Sequence, residues 1–95
     1  MREPAVYILS NKKNGTLYTG VTSNLEQRMS QYKAGSIDGF SKQYGCNLLV
    51  YFERFDTMEY AILREKQIKD GPRKRKIALI EKMNPTWNDL YLTIV

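Results

Sequence analysis

Five side chains in this sequence carry more chemistry than their apolar surroundings need: Tyr7, Tyr18, Arg28, Tyr32 and Glu65. The first two lie in short apolar runs, Val6-Tyr7-Ile8-Leu9 and Leu17-Tyr18-Thr19-Gly20-Val21. Arg28 and Tyr32 recur with Leu25 and Met29 at helical spacing, and Glu65 falls on one helical face with Met58, Ala61, Ile62 and Ile68. Each has a plain structural reading. The tyrosines would be half-buried strand aromatics, Arg28 a snorkelling arginine whose stem covers core, and Glu65 the partner of Arg28 or Arg64, because an unpaired inward carboxylate is costly. Taken together they would supply phosphodiester hydrolysis in a chain with no histidine. A hard divalent ion accepts a single carboxylate and fills its shell with water and substrate phosphate. An arginine balances charge on the phosphoryl group. A phenol near pKa 10 activates water well only where positive surroundings depress it.

Composition narrows the alternatives. A chain of 95 residues is expected to be one domain, 1–95, with one modest core. Fifteen Lys and Arg against 10 Asp and Glu give a net charge of +5, which favours an anionic partner, most simply nucleic acid. The single cysteine, Cys46, excludes an intrachain disulfide and suits a reducing compartment, and with no histidine it excludes a thiolate–imidazole zinc cage. No apolar run approaches the roughly 20 residues of a membrane span. The opening Met-Arg-Glu-Pro lacks the apolar core of a signal peptide. A cytoplasmic protein with no membrane partner is expected.

The elements that must position the five residues read as follows. A strand over about 5–10 and another over about 16–22 flank Asn14-Gly15, a pair suited to positive φ at both central positions of a type I′ turn. An even loop would put Tyr7 and Tyr18 on one face. Ser23 and Glu26 have capping-box spacing for a helix that Gly35 ends. Residues 36–46 read as a surface loop with room for a helical turn. The apolar run 47–55 suits a third strand covered on both faces, with central placement open. Asp56 to Glu59 open a second helix, which Gly71 stops, and Pro72 starts the next, over 73–83. That helix begins Arg73-Lys74-Arg75-Lys76, against the macrodipole. The run is either a solvated face or a patch facing phosphate. Ile77, Leu79, Ile80 and Met83 form its inward side, and Trp87, Leu90 and Tyr91 dock the C-terminal segment on the core.

The same residues resemble the GIY-YIG endonuclease superfamily, most closely its small standalone bacterial members, over nearly the whole chain. Ala5-Val6-Tyr7 stands where the family often has Gly-Ile-Tyr, and Tyr18-Thr19-Gly20 is its second motif with Thr for Ile. Val21 to Arg28 is similar to the stretch leading to the family's arginine, Arg64 to Lys69 to its metal-ligand helix, and Asn84 to Leu90 to the ending of the standalone group. The resemblance implies an α+β fold, a small three-stranded antiparallel sheet flanked by helices. It implies cleavage of a DNA strand with Mg²⁺ or Mn²⁺, in repair, recombination or processing. By it, Tyr7 is the general base or orienter of the attacking water, and Tyr18 hydrogen-bonds around the nucleophile. Arg28 contacts the scissile phosphate, Glu65 is the sole protein ligand of the metal, and Asn84 lies near the site. Tyr32 stands where many relatives have His, while some members, including the nuclease subunit of bacterial excision repair, look similar to this chain there; a phenol keeps a hydrogen bond to phosphate while removing imidazole proton transfer.

Lys33, Lys42, Lys66, Lys69, Arg73, Lys74, Arg75, Lys76 and Asn84 are the residues expected to face nucleic acid, with DNA as substrate and RNA open. The alternative to an enzyme is a non-catalytic nucleic-acid-binding or adaptor module of the same fold. Such a module has no use for an inward Glu65, since a carboxylate repels phosphate unless a metal intervenes. A chain of this length leaves no room for a separate DNA-binding domain, so a targeting protein is a further expected partner.

Overall fold

In the computed structural model, which describes residues 3–37 and 39–95 apart from the side chains of Phe40 and Ser41, the chain forms one antiparallel sheet with helices packed against it. Met1, Arg2 and Asp38 lie outside the described residues, and with them part of the reading of the N-terminus and of the 36–46 loop. The strands are β1 (Ala5–Ser10), β2 (Leu17–Thr22) and β3 (Leu48–Arg54). The helices are α1 (Leu25–Lys33), α2 (Phe40–Gln43), α3 (Met58–Asp70), α4 (Arg73–Met83) and α5 (Tyr91–Ile94). The expected α+β class and three-stranded antiparallel sheet are found.

The sheet order is β2-β1-β3, so the first strand is the central one and the apolar third strand is an edge. All six residues of β1 are buried. Ala5, Tyr7 and Leu9 point into a cluster with Leu25, Met29 and Tyr32 of α1, Cys46 and Leu49. Val6 and Ile8 point the other way, into Val50, Tyr51, Ala61 and Ile68 of α3, Ile80 of α4 and Trp87. This is the period-two alternation of a strand with both faces covered. A register shift between Ile8 and Leu9 inserts Val50 opposite β1, which lets β3 bury Leu49, Val50 and Tyr51 in succession.

The hairpin pairs Ser10 with Leu17 across a six-residue loop, Asn11 to Thr16, and Leu9 with Tyr18. Tyr7 and Tyr18 therefore share a face. The turn is not the expected type I′. Only Asn14 has positive φ, at 57°, and Gly15 donates its N–H to the Lys12 carbonyl at 3.0 Å. Gly15 is needed for close approach instead, because a Cβ there would lie 1.9 Å from Asn11 Oδ1.

The helix boundaries also differ from expectation by one residue in places. Asn24, not Ser23, caps α1, accepting from the Gln27 N–H at 3.2 Å. Thr57, not Asp56, caps α3, accepting from the Tyr60 N–H at 3.3 Å. Pro72 is the extended residue before α4 rather than its first residue. Ile62 and Met83, assigned to inward stripes, are exposed. Ile62 lies at the margin of its stripe, and Met83 is the last residue of α4. Arg73 turns back to donate to the carbonyls of Asn14 at 2.9 Å and Gly15 at 2.7 Å, tying α4 to the hairpin loop.

Asn84 is buried, and its amide is fully engaged. It donates to the Val50 carbonyl at 3.2 Å and the Asn88 carbonyl at 2.7 Å, and accepts from the Asn88 N–H at 3.0 Å. The expectation that it faces nucleic acid is corrected: it locks the turn after α4 onto β3. The C-terminal segment docks as expected, through Trp87 in one cluster, Leu90 and Tyr91 against the other, and a Leu90 N–H to Leu49 carbonyl bond of 2.7 Å.

Two stability measurements check this frame. Gly20 pairs with Tyr7 across the hairpin, and a Cβ on it would sit 2.4 Å from the Tyr7 hydroxyl. Gly20→Ala should cost about 1–3 kcal/mol by overpacking and displace the Tyr7 ring; wild-type thermal stability in that variant would contradict the packing. Asn84→Ala should cost about 1–3 kcal/mol through the partners it leaves unsatisfied, with DNA affinity of the folded protein unchanged in an anisotropy titration.

Candidate active site

The site is built on the face of the sheet that carries Tyr7 and Tyr18. Tyr7 enters it from the central strand and is 1% exposed, so its ring is fixed by packing. Its hydroxyl is the polar end of a buried residue and needs partners. Two come from α1: the Tyr32 hydroxyl at 3.1 Å, and Arg28 Nη1, which donates to it at 3.4 Å. Arg28 and Tyr32 are four apart on one helix and so project from the same side. Asn24 sets the start of that helix, which fixes their height along the strand.

Tyr18 completes a triangle of rings. The centroids are 6.5 Å apart for Tyr7 and Tyr18, 6.0 Å for Tyr7 and Tyr32, and 6.3 Å for Tyr18 and Tyr32. All are tilted or edge-on, the arrangements that aromatic quadrupoles favour. Burial is the main cause that pushes the Tyr7 phenol far above its ordinary range, reinforced by Tyr32 and only partly opposed by Arg28. Tyr18 is raised as well, first by burial and then by Tyr32, with Glu65 adding to the rise. The expected depression of a phenol by positive surroundings is therefore not found in this state: one guanidinium does not outweigh burial beside a second phenol. Burial acts to lower Arg28, and Tyr7 and Tyr32 outweigh it, so its charge is held more firmly.

Glu65 comes from α3, which packs through Ala61 and Ile68 on the opposite face of the sheet, and it acts on the site at the β2 edge, through Tyr18. Its side chain is 15% exposed, and Oε2 lies 3.2 Å from Lys69 Nζ one turn later on the helix. Neither Arg28 nor Arg64 is its partner. Arg64 instead donates from Nε to both carboxylate oxygens of Glu53, at 3.2 and 3.0 Å, and so anchors α3 to β3. The i,i+4 spacing of Glu65 and Lys69 was legible in the sequence as a helical ion pair, and Lys69 is the residue whose role the spacing alone did not single out. Its ammonium also stands over the Tyr18 ring, 6.0 Å from the centroid.

Among the described residues no group of three or more acidic or cysteine side chains converges to form a metal cage. The donor set is a lone, half-buried carboxylate beside phenols. That set fits a hard ion which keeps most of its waters and takes phosphate oxygens, and does not fit a soft or fully caged one.

The basic residues divide into two groups. Lys33 pairs with Asp89 and stands over the Tyr91 ring, holding α5 to α1. Arg73 is tied to the hairpin loop, and Lys76 Nζ donates to the Lys69 carbonyl at 3.3 Å. Lys66, Lys74 and Arg75 are exposed along α3 and α4, and Lys42 is exposed on α2. Lys69 and Lys76 line a groove along β2 with Leu17, Tyr18 and Thr19. The structure thus brings Tyr7, Tyr18, Arg28 and Tyr32 together on one face, with Lys69 and Glu65 of α3 approaching at Tyr18, and places Asn84 and Lys33 in the scaffold.

Comparison with known proteins agrees with this arrangement. Residues 3–78 match the GIY-YIG catalytic domain model. A UPF0213 protein of Staphylococcus haemolyticus is 38% identical over 82 residues, covering 86% of this chain and 99% of that protein. The UvrABC system protein C of Mycoplasmopsis agalactiae is 31% identical over 91 residues, which is 94% of this chain and 14% of that larger protein. The solution NMR structure of a UPF0213 protein from Bacillus halodurans superposes with a TM-score of 0.57 at 26% identity, over 92% of each chain. With its first tyrosine on β1, its second on β2 and a glycine beneath the first, the chain belongs to the GIY-YIG catalytic domain family, a family of nucleases.

Proposed function

We propose that this protein is a divalent-metal-dependent endonuclease that hydrolyses a phosphodiester bond in DNA, with RNA as the second polymer to be tried. The observation that carries this is the meeting of three phenols and one guanidinium on a single sheet face with a lone carboxylate at its edge. Likeness to the UvrABC system protein C supports work in DNA repair, recombination or processing. No helix among the described residues is long and apolar enough to cross a membrane, in keeping with the proposed cytoplasmic location.

Arg28 would hold the scissile phosphate, since a guanidinium presents paired donors to phosphate oxygens. Tyr32 would donate a second hydrogen bond there. Tyr7 and Tyr18 would orient the attacking water between them. A phenol is already protonated at neutral pH and burial raises both further, so they start as donors and positioners. A basic role for Tyr7 needs additional positive charge beyond Arg28. Mg²⁺ or Mn²⁺ held at Glu65 would supply that charge and stabilise the leaving oxygen. The exposed Lys42, Lys66, Lys74 and Arg75 would bind backbone phosphates in a salt-dependent way.

Cleavage of nicked, flapped, branched and linear DNA in Mg²⁺ or Mn²⁺ provides the test. Glu65→Ala should abolish cleavage. Tyr7→Phe should lower the rate by about 10²–10⁴-fold, the range for a positioned acid–base group, and Arg28→Ala by about 10²–10³-fold, as for a lost transition-state donor. Equal activity in wild type and all three folded variants would refute the assignment.

The phenols allow an independent check. A group whose folded pKa lies above its unfolded value stabilises the fold below the unfolded pKa, and that stability is lost as pH rises through the folded value. Tyr7, Tyr18 and Tyr51 are all raised, each chiefly by burial. Stability should therefore hold up to about pH 10, the value for a free phenol, and fall above it. An ultraviolet titration of the seven tyrosines should still be incomplete where free tyrosine has fully ionised. A single ordinary transition, completed with the protein folded, would contradict the buried cluster.

A further inference from the structure

Lys69 touches two groups that the proposed reaction uses. Its Nζ is 3.2 Å from Glu65 Oε2 and 6.0 Å from the centre of the Tyr18 ring. The two partners differ in freedom: the Glu65 side chain is 15% exposed and the Lys69 side chain 49%. The carboxylate is the fixed member and the ammonium, on four rotatable carbons, the movable one. Lys69 also lines the groove of about 330 Å³ along the edge strand β2, with Leu17, Tyr18, Thr19 and Lys76. A short swing from Glu65 therefore leads into a groove that already carries a second ammonium.

We infer that Lys69 is the resident counter-ion of Glu65: it neutralises the carboxylate while no divalent cation is present, yields it when one binds, and then contacts phosphate of the strand in the β2 groove. The inference rests on the reading of Glu65 as the metal ligand. Its physical basis is competition for one carboxylate. An unpartnered Glu65 at the edge of a phosphate site would repel the substrate, and a divalent ion at the same oxygens would repel the ammonium. Release of Lys69 then adds a positive charge to the substrate groove when the site becomes loaded. By linkage, cation and nucleic acid each raise the affinity for the other.

The test has two arms, neither of them turnover. In the first, Mn²⁺ binding is measured by calorimetry, without nucleic acid, on wild type, Lys69→Gln and Glu65→Gln, each shown folded by circular dichroism. Lys69→Gln should bind Mn²⁺ about two- to fivefold tighter, the worth of a partly exposed ion pair, and Glu65→Gln should lose the site. In the second, affinity for a nicked duplex is measured with Ca²⁺ and with chelator over a salt series. Lys69→Gln should weaken binding and reduce the salt slope by about 1 with Ca²⁺; in chelator it should also weaken binding, through the unpartnered Glu65, and the double variant Glu65→Gln/Lys69→Gln should restore wild-type affinity there. Mn²⁺ affinity no tighter in Lys69→Gln, or affinity in chelator left weak in the double variant, overturns the counter-ion role while the metal-ligand reading survives through Glu65→Gln. Unaltered Mn²⁺ binding in Glu65→Gln overturns both.

Discussion

The contact between Tyr7 and Gly20 is the constraint on which the rest of the site depends. Tyr7 belongs to a strand buried on both faces, so its ring cannot turn out to water. It lies instead across its hairpin partner, where only a glycine leaves space for the hydroxyl. Glycine inside a strand costs about 0.5–1 kcal/mol relative to alanine, and here that cost is offset by the aromatic packing it admits. From this placement the remaining geometry follows. A buried hydroxyl must be satisfied, and the satisfying groups, Tyr32 and Arg28, come from one face of one helix. Tyr18, two registers along the same face, closes the ring triangle.

Local pattern revealed what local physics determines. An apolar, β-branched run marked β1, and the Gly-Pro break with the Asn-Pro stop bounded α4 at 73–83; that Tyr7 and Tyr18 share a face depended on loop parity, which only the observed pairing decides. The misplaced caps show where pattern ends. Ser23 and Asn24, or Asp56 and Thr57, are adjacent cap formers, and the choice falls to whichever takes the extended backbone angles that tertiary packing allows. Pairing across the fold was less legible. Arg64 looked like a partner for Glu65, but β3 presents Glu53 to it, and that approach depends on the order of strands. The central position of β1 was equally hidden, because both β1 and β3 read as apolar runs. Asn84 shows the same limit in chemical form. An amide after a helix reads alike whether it caps a buried turn or faces a ligand, and only its three backbone bonds decide.

Net charge overstates the surface that could meet a polyanion. Of the chain's 15 basic residues, Arg64, Arg73, Lys33 and Lys76 all hold elements together through carboxylates or carbonyls. A pattern of Arg-Lys-Arg-Lys at a helix N-terminus opposes the macrodipole, and the fold relieves part of that conflict by turning Arg73 and Lys76 back onto neighbouring carbonyls. These four are committed to the scaffold, so binding to backbone phosphates would rest on the exposed remainder, Lys66, Lys74 and Arg75 among them, and depend strongly on salt.

The protonation states of the phenols complete this picture. Burial raises Tyr7 and Tyr18 further above their ordinary range, and Tyr32 strengthens the effect. The resting site is therefore a set of hydrogen-bond donors around one guanidinium, with a single carboxylate already neutralised by Lys69. Such a site is arranged to receive an anion. Arg28 favours loss of a phenolic proton but does not outweigh burial, so a basic role needs charge from outside the resting chain, and on the proposed reading chemistry would be tied to loading.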